Sequence, residues 1–388
     1  MVWFWWASGL LLALLWFLSV VQAALHLSEI SDITQPEWEP AEGIALPSVT
    51  VIVPARDEEA DIMQGLQSLL HLNHTSLDVI AINDRSTDRT GKIMEGIAAG
   101  ALSRRLRILH VQELPPRWLG KTYAMWLAAQ HATGDWLLFT DADCVLHPDS
   151  VRRALFYATT NSLDHLVVFP TALMQTCGER MMMSFPAVIF NFAFHRHWKV
   201  KDPKAKDHIG MGAFNLIHRR AYAAIGGHEN LRLEVADDLK MGEAVKKAGL
   251  RQDIVFGLNM VCLRWAVGAA GVIRNLEKNL FAYLGFRLSL VMVVCVALFF
   301  LCVWPFLGLV LAPGWTKGGF AFAVAMIAAA YYGVSRYIGI SPLLFLACPI
   351  SAMLFIFATL RSAFVALRDG GVTWRETEYS LEELRKRT

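Results

Sequence analysis

Cysteine pairs are missing from this sequence. Its six cysteines are scattered over 388 residues, and no two of them form a CxxC motif. Without such spacing we expect neither a disulfide framework nor a zinc site. The scatter also fits a reducing, cytoplasmic location for the polar part of the chain.

Charge is also scarce, and neither sign dominates. Asp, Glu, Lys and Arg together make up 18% of the residues, and the formal net charge is +2. No basic block alternates with aromatic residues in the way that a groove for single-stranded nucleic acid requires. We therefore expect no nucleic acid partner.

A long hydrophobic run opens the sequence. Residues Val2 to Leu25 are apolar except for Ser8, Ser19 and Gln22, and this length spans a hydrocarbon core of ~30 Å. The alternative is a signal peptide, which would need a basic start and a shorter apolar run of ~7–15 residues. We predict an uncleaved transmembrane anchor at residues 1–27.

Three further apolar runs follow the polar middle of the chain, at Leu288–Leu311, Phe320–Ile338 and Pro342–Leu367. They are apolar on every side, whereas a soluble helix has one apolar stripe, so we predict about three membrane helices within residues 288–367. The polar tail at residues 368–388 carries several arginines, which favours a cytoplasmic side. If the anchor is followed by a cytoplasmic domain and three membrane crossings, the tail would lie outside the cytoplasm. Either one of the apolar runs is re-entrant, or the tendency of arginine-rich segments to stay in the cytoplasm does not hold here.

The segments between these runs differ in composition. Residues 28–47 are rich in proline and acidic residues and predict a linker. Residues 266–287 mix apolar and basic positions, which predicts an amphipathic helix lying in the membrane interface. The remaining residues 48–265 have the composition of a globular domain.

Apolar runs of strand length alternate with amphipathic runs of helix length in this domain. The predicted strands and helices, in chain order, are Val49–Pro54, Ala60–Leu72, Leu77–Ile82, Asp88–Ala99, Leu106–Val111, Lys121–His131 and Trp136–Thr140. This alternation predicts an α/β fold with a mostly parallel sheet and helices on both faces. Ligands of such sheets bind beyond the carboxyl ends of the strands.

Acidic side chains follow those strand ends. Glu58 comes after the first strand, Asp84 after the second, and Asp141 and Asp143 after the fourth. An Asp-x-Asp pair after a buried strand predicts a site for Mg²⁺ or Mn²⁺, which prefer carboxylate oxygens. Each residue alone is equally consistent with a solvated turn or a helix cap, but their convergence favours a binding crevice.

Together these motifs resemble glycosyltransferase family 2. The resemblance covers roughly residues 49–253 and is carried by Val53-Pro54-Ala55-Arg56-Asp57-Glu58, Asn83-Asp84-x-Ser86-Thr87-Asp88, Gly120-Lys121, Asp141-Ala142-Asp143 and Asp237-Asp238-Leu239. It implies a GT-A fold, which is a Rossmann-like, mostly parallel α/β domain that binds a nucleotide sugar. Among membrane-bound members the chain most resembles the hopene-associated glycosyltransferases, with ceramide glucosyltransferase-like enzymes as cousins.

The resemblance also implies which residues bind the donor. Asp84 matches the position whose carboxylate accepts a hydrogen bond from the uracil ring. Lys121 and Arg264 would lie near the diphosphate, although a solvated lysine and a membrane-surface arginine are the plainer alternatives. The other residues implied in donor binding are Pro54, Ala55, Arg56, Glu58 and Asp141.

Metal binding and catalysis are assigned to two acidic pairs. The implied metal ligand is Asp143, with Asp141 contacting either the ribose or the metal through water. The implied catalytic pair is Asp238 and Asp237, in which Asp238 is the general base of an inverting transfer. Its neighbour Asp237, on a helix, would point about 100° away. The alternative for this pair is an acidic helix start favoured by the helix dipole.

One departure from the family pattern bears on the product. Processive polysaccharide synthases carry Gln-x-x-Arg-Trp, whereas here Val261 stands in place of the Gln before Arg264-Trp265. This favours transfer of a single sugar over polymerisation.

We therefore predict a metal-dependent, inverting hexosyltransferase with a UDP-linked donor and a membrane-lipid acceptor, in hopanoid biosynthesis. The predicted location is the bacterial inner membrane, with a cytoplasmic catalytic domain and several membrane crossings. Ceramide, diacylglycerol, a carotenoid or polyprenyl phosphate stay open as acceptors. A non-catalytic membrane scaffold and a nucleotidyltransferase are the alternatives of another class.

Overall fold

The structure, a computed structural model, describes residues 2–100, 103–189, 196–374 and 377–380. The chain divides into two compact units. The sheet unit comprises residues 30–173 and 197–264. The helical unit comprises residues 1–29, 174–196 and 265–388.

The sheet unit is an α/β domain. Its strands are β1 (Val49–Ala55), β2 (Leu77–Asp84), β3 (Leu106–Val111), β4 (Trp136–Phe139), β5 (Cys144–Leu146), β6 (His165–Val168), β7 (Thr171–Ala172), β8 (Asn215–His218), β9 (Gln252–Val255) and β10 (Val261–Leu263). Its helices are α2 (Ile62–Leu70), α3 (Thr90–Ala98), α4 (Gly120–His131), α5 (Ser150–Thr160), α7 (Arg219–Ala224), α8 (Gly227–Asn230) and α9 (Asp237–Lys247).

The central sheet has the strand order β3-β2-β1-β4-β8-β6-β9. All of its strands run parallel except β8, which is antiparallel to both of its neighbours. The prediction of a mostly parallel sheet is therefore confirmed. Because β8 runs the opposite way, the residues just before its first residue, Asn215, lie at the carboxyl end of β4. A small second sheet has the order β5-β10-β7.

Side chains of successive strand residues pack on opposite faces of the central sheet. Val51 of β1 belongs to a buried cluster that includes Leu66 of α2 and Leu155 of α5. The next residue, Ile52, belongs to the cluster on the other face, with Met125 of α4. Burying an aliphatic side chain of this size contributes about 1.5–3 kcal/mol, so both faces hold the strand ends in place.

The helical unit contains α1 (Val2–His26), α6 (Cys177–Ile189), α10 (Gly268–Tyr283), α11 (Leu288–Leu298), α12 (Trp304–Leu311), α13 (Lys317–Ile338), α14 (Cys348–Arg368) and a hairpin of β11 (Gly371–Trp374) and β12 (Thr377–Ser380). Four helical segments of the described chain are long and apolar enough to cross a membrane: Val2–Glu29, Leu288–Leu311, Gly314–Ile338 and Pro342–Arg368. The predicted N-terminal and C-terminal apolar helices are thereby confirmed.

Close packing and one side-chain hydrogen bond join these apolar helices. α1 and α13 meet at Gly9 and Gly319, where a Cβ on Gly319 would lie 2.7 Å from the Gly9 backbone; small residues allow such approach in membrane helices. In the first turn of α12, Pro305 has no amide hydrogen to bond the carbonyl of Leu301. The indole Nε1 of Trp16 donates to that carbonyl at 2.9 Å. The carbonyl of Leu301 therefore has a hydrogen-bond partner within the apolar segment.

The Met-rich and aromatic segment after residue 180 is part of the helical unit. Met182 and Phe185 of α6 are fully buried, and the Phe185 ring lies 5.6 Å from that of Phe355 in α14. Core packing therefore accounts for these two residues, while residues 190–195 lie outside the described part.

A buried network of polar side chains connects β8, β6 and β9 of the central sheet. His165 of β6 is fully buried between Asn215 of β8 and Gln252 of β9. Its Nε2 donates to the Asn215 side-chain oxygen, and its Nδ1 accepts from Gln252 Nε2 at 2.8 Å. The Gln252 amide cannot flip freely, because its oxygen accepts from the amide of Ile209 at 3.0 Å. The network thus requires a neutral imidazole.

We predict that His165 gives the sheet unit a contribution to stability that is lost in mild acid. Burial lowers the pKa of His165 to about 4, whereas the unfolded chain has a value of about 6.5. This contribution is therefore full above pH ~6.5 and falls as the pH drops towards 4, by at most ~1.4 kcal/mol per pH unit. Other buried histidines and carboxylates of the unit also titrate in this range, so the difference in unfolding free energy between the wild type and His165→Gln, measured with denaturant from pH 8 to 5, isolates it. His71→Gln, at an exposed histidine, should show no such pH-dependent difference; the same pH dependence in wild type and His165→Gln would contradict the prediction.

Candidate functional site

The loop that precedes β8 is hydrogen-bonded both to the residue that follows β4 by two positions and to the start of α9. The amide of Asp141 donates to the carbonyl of Gly212 at 3.0 Å, and the amide of Gly212 donates to Oδ2 of Asp238 at 2.8 Å. A Cβ on Gly212 would lie 2.5 Å from Oδ2 of Asp141. Asp141 and Asp238 can therefore approach this loop from its two sides only because residue 212 is a glycine.

Lys121, in the first turn of α4, lies among these carboxylates. Its Nζ is 2.7 Å from Oδ1 of Asp141 and 3.9 Å from Oδ1 of Asp237. Burial alone would lower the pKa of Lys121, but the charges of Asp141, Asp237 and Asp238 raise it above its ordinary value. The lysine is therefore charged and is the positive centre of an acidic crevice.

The adjacent residues Asp237 and Asp238 have different surroundings at the start of α9. Asp238 accepts from the amide of Leu239 at 2.8 Å as well as from Gly212, so backbone donors orient both of its oxygens. Asp237 is buried, and its oxygens lie 3.9 Å from Lys121 and 3.9 Å from Nε2 of His228. Burial raises the pKa of Asp238, and it raises that of Asp237 to about 7.

His228 is a residue of this crevice that the sequence analysis missed. It is fully buried, and its Nδ1 accepts a hydrogen bond from the hydroxyl of Tyr222 at 2.9 Å. Burial and the charge of Lys121 lower the pKa of His228 to about 3, so the ring is neutral and its Nε2 proton faces Asp237. The signal available in the sequence was the preceding Gly226-Gly227 pair, both in the left-handed region, which marks a tight turn.

Asp143 lies two residues beyond Asp141, beside Cys144 of β5. Burial and the nearby charges of Asp141 and Glu58 raise the pKa of Asp143 to about 7. Carboxylates that repel one another in this way form a donor set suited to a hard cation. Among the described residues, no three His, Cys, Asp or Glu side chains are grouped closely enough to hold a metal ion by themselves.

The end of β2 adjoins this crevice through the first residue of α4, Gly120. Asp84 is buried, and its carboxylate accepts from Arg85 Nε at 2.8 Å and Nη2 at 3.2 Å. A Cβ on Gly120 would collide with that carboxylate, so the first residue of α4 must be glycine for Lys121 and Asp84 to lie so near each other. Pairing of β1 with β2 sets Pro54 and Ala55 beside the end of β2.

The loops after β1 and β2 are bonded to each other. Asp57, in the left-handed region, accepts from the amide of Thr87 at 2.7 Å. Asp88 accepts from the amide of Glu59 at 3.1 Å, and the hydroxyl of Thr90 accepts from the amide of Glu58 at 2.8 Å. These bonds hold the segment that contains Arg56, whose Nε lies 3.8 Å from Asp57, and they explain Asp88 as a structural residue.

Arg264 is placed by strand register. Leu263 of β10 pairs antiparallel with Cys144 of β5, so Arg264 and Asp143 are each one residue beyond that pair on facing strands. The register therefore brings this predicted diphosphate ligand to the same end of the small sheet as Asp143.

The structure thus gathers the predicted site residues of the sheet unit at one edge of the central sheet. Lys121, Asp141, Asp237 and Asp238 line one small cavity. Asp143 adjoins it in sequence, and Asp84 adjoins it through Gly120. Their individual roles stay predictions.

Residues 50–226 match the family described as Glycosyl transferase family 2. This segment is a glycosyltransferase family 2 domain. It ends before the Asp237-Asp238 pair, which the structure nevertheless brings to the same crevice.

Relatives extend the similarity beyond this family 2 domain. The chain is 25% identical over 347 residues to the 4,4'-diaponeurosporenoate glycosyltransferase of Staphylococcus aureus strain USA300, covering 87% of this chain and 89% of the relative. That enzyme is named for a carotenoid acceptor, so the expected likeness to hopene-associated enzymes is not what the comparison supports.

A solved structure confirms the fold. The mannosyltransferase PcManGT from Pyrobaculum calidifontis, in complex with GDP-Man and Mn²⁺, aligns with a TM-score of 0.53 at 19% identity, covering 93% of this chain and 99% of that one. The GT-A fold predicted for the family 2 domain is therefore present.

We predict that Gly212→Ala impairs the site without unfolding the domain. The added methyl group would displace the Asp141 carboxylate, and a misplacement of about 1 Å in an active site can reduce the rate on the order of 10²-fold. Gly96→Ala, where a Cβ meets no atom within 4 Å, is the matched control. Initial rates of nucleoside diphosphate release and unfolding temperatures of both variants test this. A Gly212→Ala variant with unchanged rate would show that the loop is not part of the site.

Proposed function

We propose that this protein is a membrane-bound, inverting glycosyltransferase that moves one sugar from a nucleotide donor to a lipid. The observation that carries the proposal is the crevice in which Lys121, Asp141, Asp237 and Asp238 meet at the carboxyl end of β4. The family 2 domain supports sugar transfer, and the four long apolar helices support a membrane location. We place the protein in a bacterial inner membrane, with the sheet unit in the cytoplasm.

The donor side of the crevice combines a hydrogen-bond acceptor with positive charge. Asp84 is a buried carboxylate, which suits the ring N–H of a uracil, although guanine offers comparable donors. Lys121 and Arg264 supply positive charge for a diphosphate. We propose a UDP-linked sugar as the donor, bound also by Pro54, Ala55, Arg56 and Glu58.

A divalent cation fits the residues next to this donor site. Asp143 and Asp141 would hold it as carboxylate ligands, and oxygens of the donor and of water would supply its other ligands. When bound, Mg²⁺ or Mn²⁺ would neutralise charge on the departing diphosphate. The charge of Lys121 balances part of the charge of these acids.

Asp238 is the residue best suited to act as the base. Backbone donors occupy one lone pair on each of its oxygens, which orients the carboxylate and leaves other lone pairs to accept a proton. Burial raises its pKa, which brings its proton affinity closer to neutral pH. Where the acceptor is a hydroxyl, it gives its proton to Asp238 as its oxygen bonds to the sugar carbon, and the bond from that carbon to the diphosphate breaks on the opposite face. Asp237, which lies 3.9 Å from both Lys121 and Nε2 of His228, helps to keep Lys121 in place.

We propose a terpenoid lipid as the acceptor. The similarity to a 4,4'-diaponeurosporenoate glycosyltransferase extends over 87% of this chain, and it favours a carotenoid over the hopanoid expected from the sequence. The two differ chemically at the reacting atom. A carotenoid acid offers a carboxylate, which is already ionised at neutral pH, whereas a hopanoid alcohol must lose a proton.

Nucleoside diphosphate release by the detergent-purified protein tests the proposal. We expect release with one donor among UDP-glucose, UDP-N-acetylglucosamine and GDP-mannose when membrane lipid extract is present. Release should stop with a chelator and return with Mn²⁺ or Mg²⁺. Asp143→Asn should reduce it on the order of 10³-fold, because the cation would lose a charged ligand.

Glu42→Gln, which removes an exposed carboxylate from residues 28–47, should leave the rate unchanged. Absence of both release and donor binding in the wild-type protein would overturn the proposal and favour a non-catalytic scaffold. Release of pyrophosphate would instead identify a nucleotidyltransferase.

Asp238→Asn distinguishes the two kinds of acceptor. With a hydroxyl acceptor, loss of the base should lower the rate 10²–10⁴-fold. With a carboxylate acceptor no proton has to be removed, so we expect a loss of less than about tenfold. Rates measured with a carotenoid carboxylic acid and with a hopanoid alcohol check this, and an equally large loss with both acceptors would contradict the role given to Asp238.

A further inference from the structure

The helical unit contains a cavity that none of the steps above uses. It has a volume of about 610 Å³ and lies between α10 and the last turns of α14. Its polar lining residues are Arg274, Asn275, Glu277, Arg361, Ser362 and Asp369. The volume is within the range of ligand sites, about 300–1,000 Å³.

Hydrogen bonds between the two helices fix the frame of this cavity. Arg361 Nε donates to Glu277 Oε2 at 2.5 Å. The hydroxyl of Ser362 donates to the carbonyl of Glu277 at 2.5 Å and accepts from the amide of Phe281 at 3.0 Å. The cavity is therefore bounded by a rigid helix pair.

The charges of the lining leave one guanidinium uncompensated. Glu277 is paired with Arg361, and Asp369 is paired with Arg368 at 2.6 Å. Arg274 lies one turn before Glu277 on α10, and the ion pairs and hydrogen bonds of the described residues do not include it. Only the Nε of Arg361 is bonded to Glu277, so its terminal nitrogens can join Arg274 in binding an anion.

The position of the cavity along the apolar helix points to a lipid. Arg361 comes seven residues before Arg368, the end of the candidate span, which is about 10 Å along a helix at ~1.5 Å per residue. The head-group region on each side of the hydrocarbon core is about 5–8 Å thick, so Arg361 lies near the inner limit of that region. Val267, Val365 and Ala366 add an apolar wall to the cavity, which suits the glycerol and first acyl carbons of a lipid.

We propose that this cavity binds the phosphate of an anionic membrane lipid, with Arg274 and Arg361 as its ligands. Guanidinium groups donate two hydrogen bonds to phosphate in a fixed geometry. Such a lipid would hold α10 against α14. The site lies wholly within the helical unit and does not depend on the proposed transfer reaction.

Calorimetric titration of the detergent-purified full chain tests this site without any donor. The probes are dioctanoyl phosphatidylglycerol, dioctanoylglycerol, which lacks the phosphate, and inorganic phosphate. We expect saturable binding of the phosphatidylglycerol, weakened about tenfold in Arg274→Gln through loss of a charge-assisted hydrogen bond. The unfolding temperature of this variant should not change, because Arg274 is exposed and unpaired among the described residues.

Arg336→Gln is the matched control, since Arg336 is an exposed arginine near the end of another candidate span, where it bonds the Tyr337 hydroxyl. It should bind the lipid as the wild type does. Equal affinity of wild type and Arg274→Gln, equal binding of dioctanoylglycerol, or no binding would overturn the proposal. Inorganic phosphate binding as tightly as the lipid would assign the cavity to a soluble anion instead.

Discussion

The close approach of several carboxylates to one lysine is the constraint on which the sheet unit depends. Lys121 lies 2.7 Å from Asp141, and Asp237 and Asp238 also raise its pKa. Like charges in a poorly solvated crevice repel one another strongly, so the positive charge of Lys121 stabilises their close approach. The antiparallel direction of β8 and the glycine at position 212 bring these acids together. The lysine balances part of their charge, and the remainder is what a diphosphate-bound metal ion would neutralise.

Such a site destabilises the fold locally, and the packing around it offsets that effect. Burial raises the pKa of Asp143 and Asp237 to about 7, which means that their ionised forms are disfavoured. Apolar clusters on both faces of the central sheet hold the strand ends in spite of this repulsion. The helical unit relies on other interactions. Its apolar helices pack at small residues, and the Trp16 indole satisfies the carbonyl that Pro305 leaves free.

Much of this arrangement was predictable from the sequence, because it depends on the spacing of apolar residues and on the position of acidic residues relative to the strand ends. Alternating apolar runs predicted the parallel strands, and acidic residues at their ends predicted the crevice.

The reversed strand β8 was not predicted, since a short apolar run carries no sign of its direction. His228 was missed because its role depends on Tyr222 and Asp237, which only the folded chain brings near it. Sequence likewise could not show that backbone amides occupy both oxygens of Asp238, because the donor Gly212 belongs to another loop. The acceptor was least predictable, since no sequence motif marks the residues that would contact it.

The most direct test of the central claim is calorimetric binding of UDP to the purified protein, with and without Mn²⁺, in wild type and Asp143→Asn. If the acidic crevice needs a cation to admit a diphosphate, UDP should bind the wild type at least tenfold more tightly with Mn²⁺. Asp143→Asn should lose this dependence on Mn²⁺. Equal affinity with and without the metal, or an unchanged metal effect in the variant, would contradict the account, because the carboxylates around Lys121 would then serve some purpose other than holding a cation and a nucleotide.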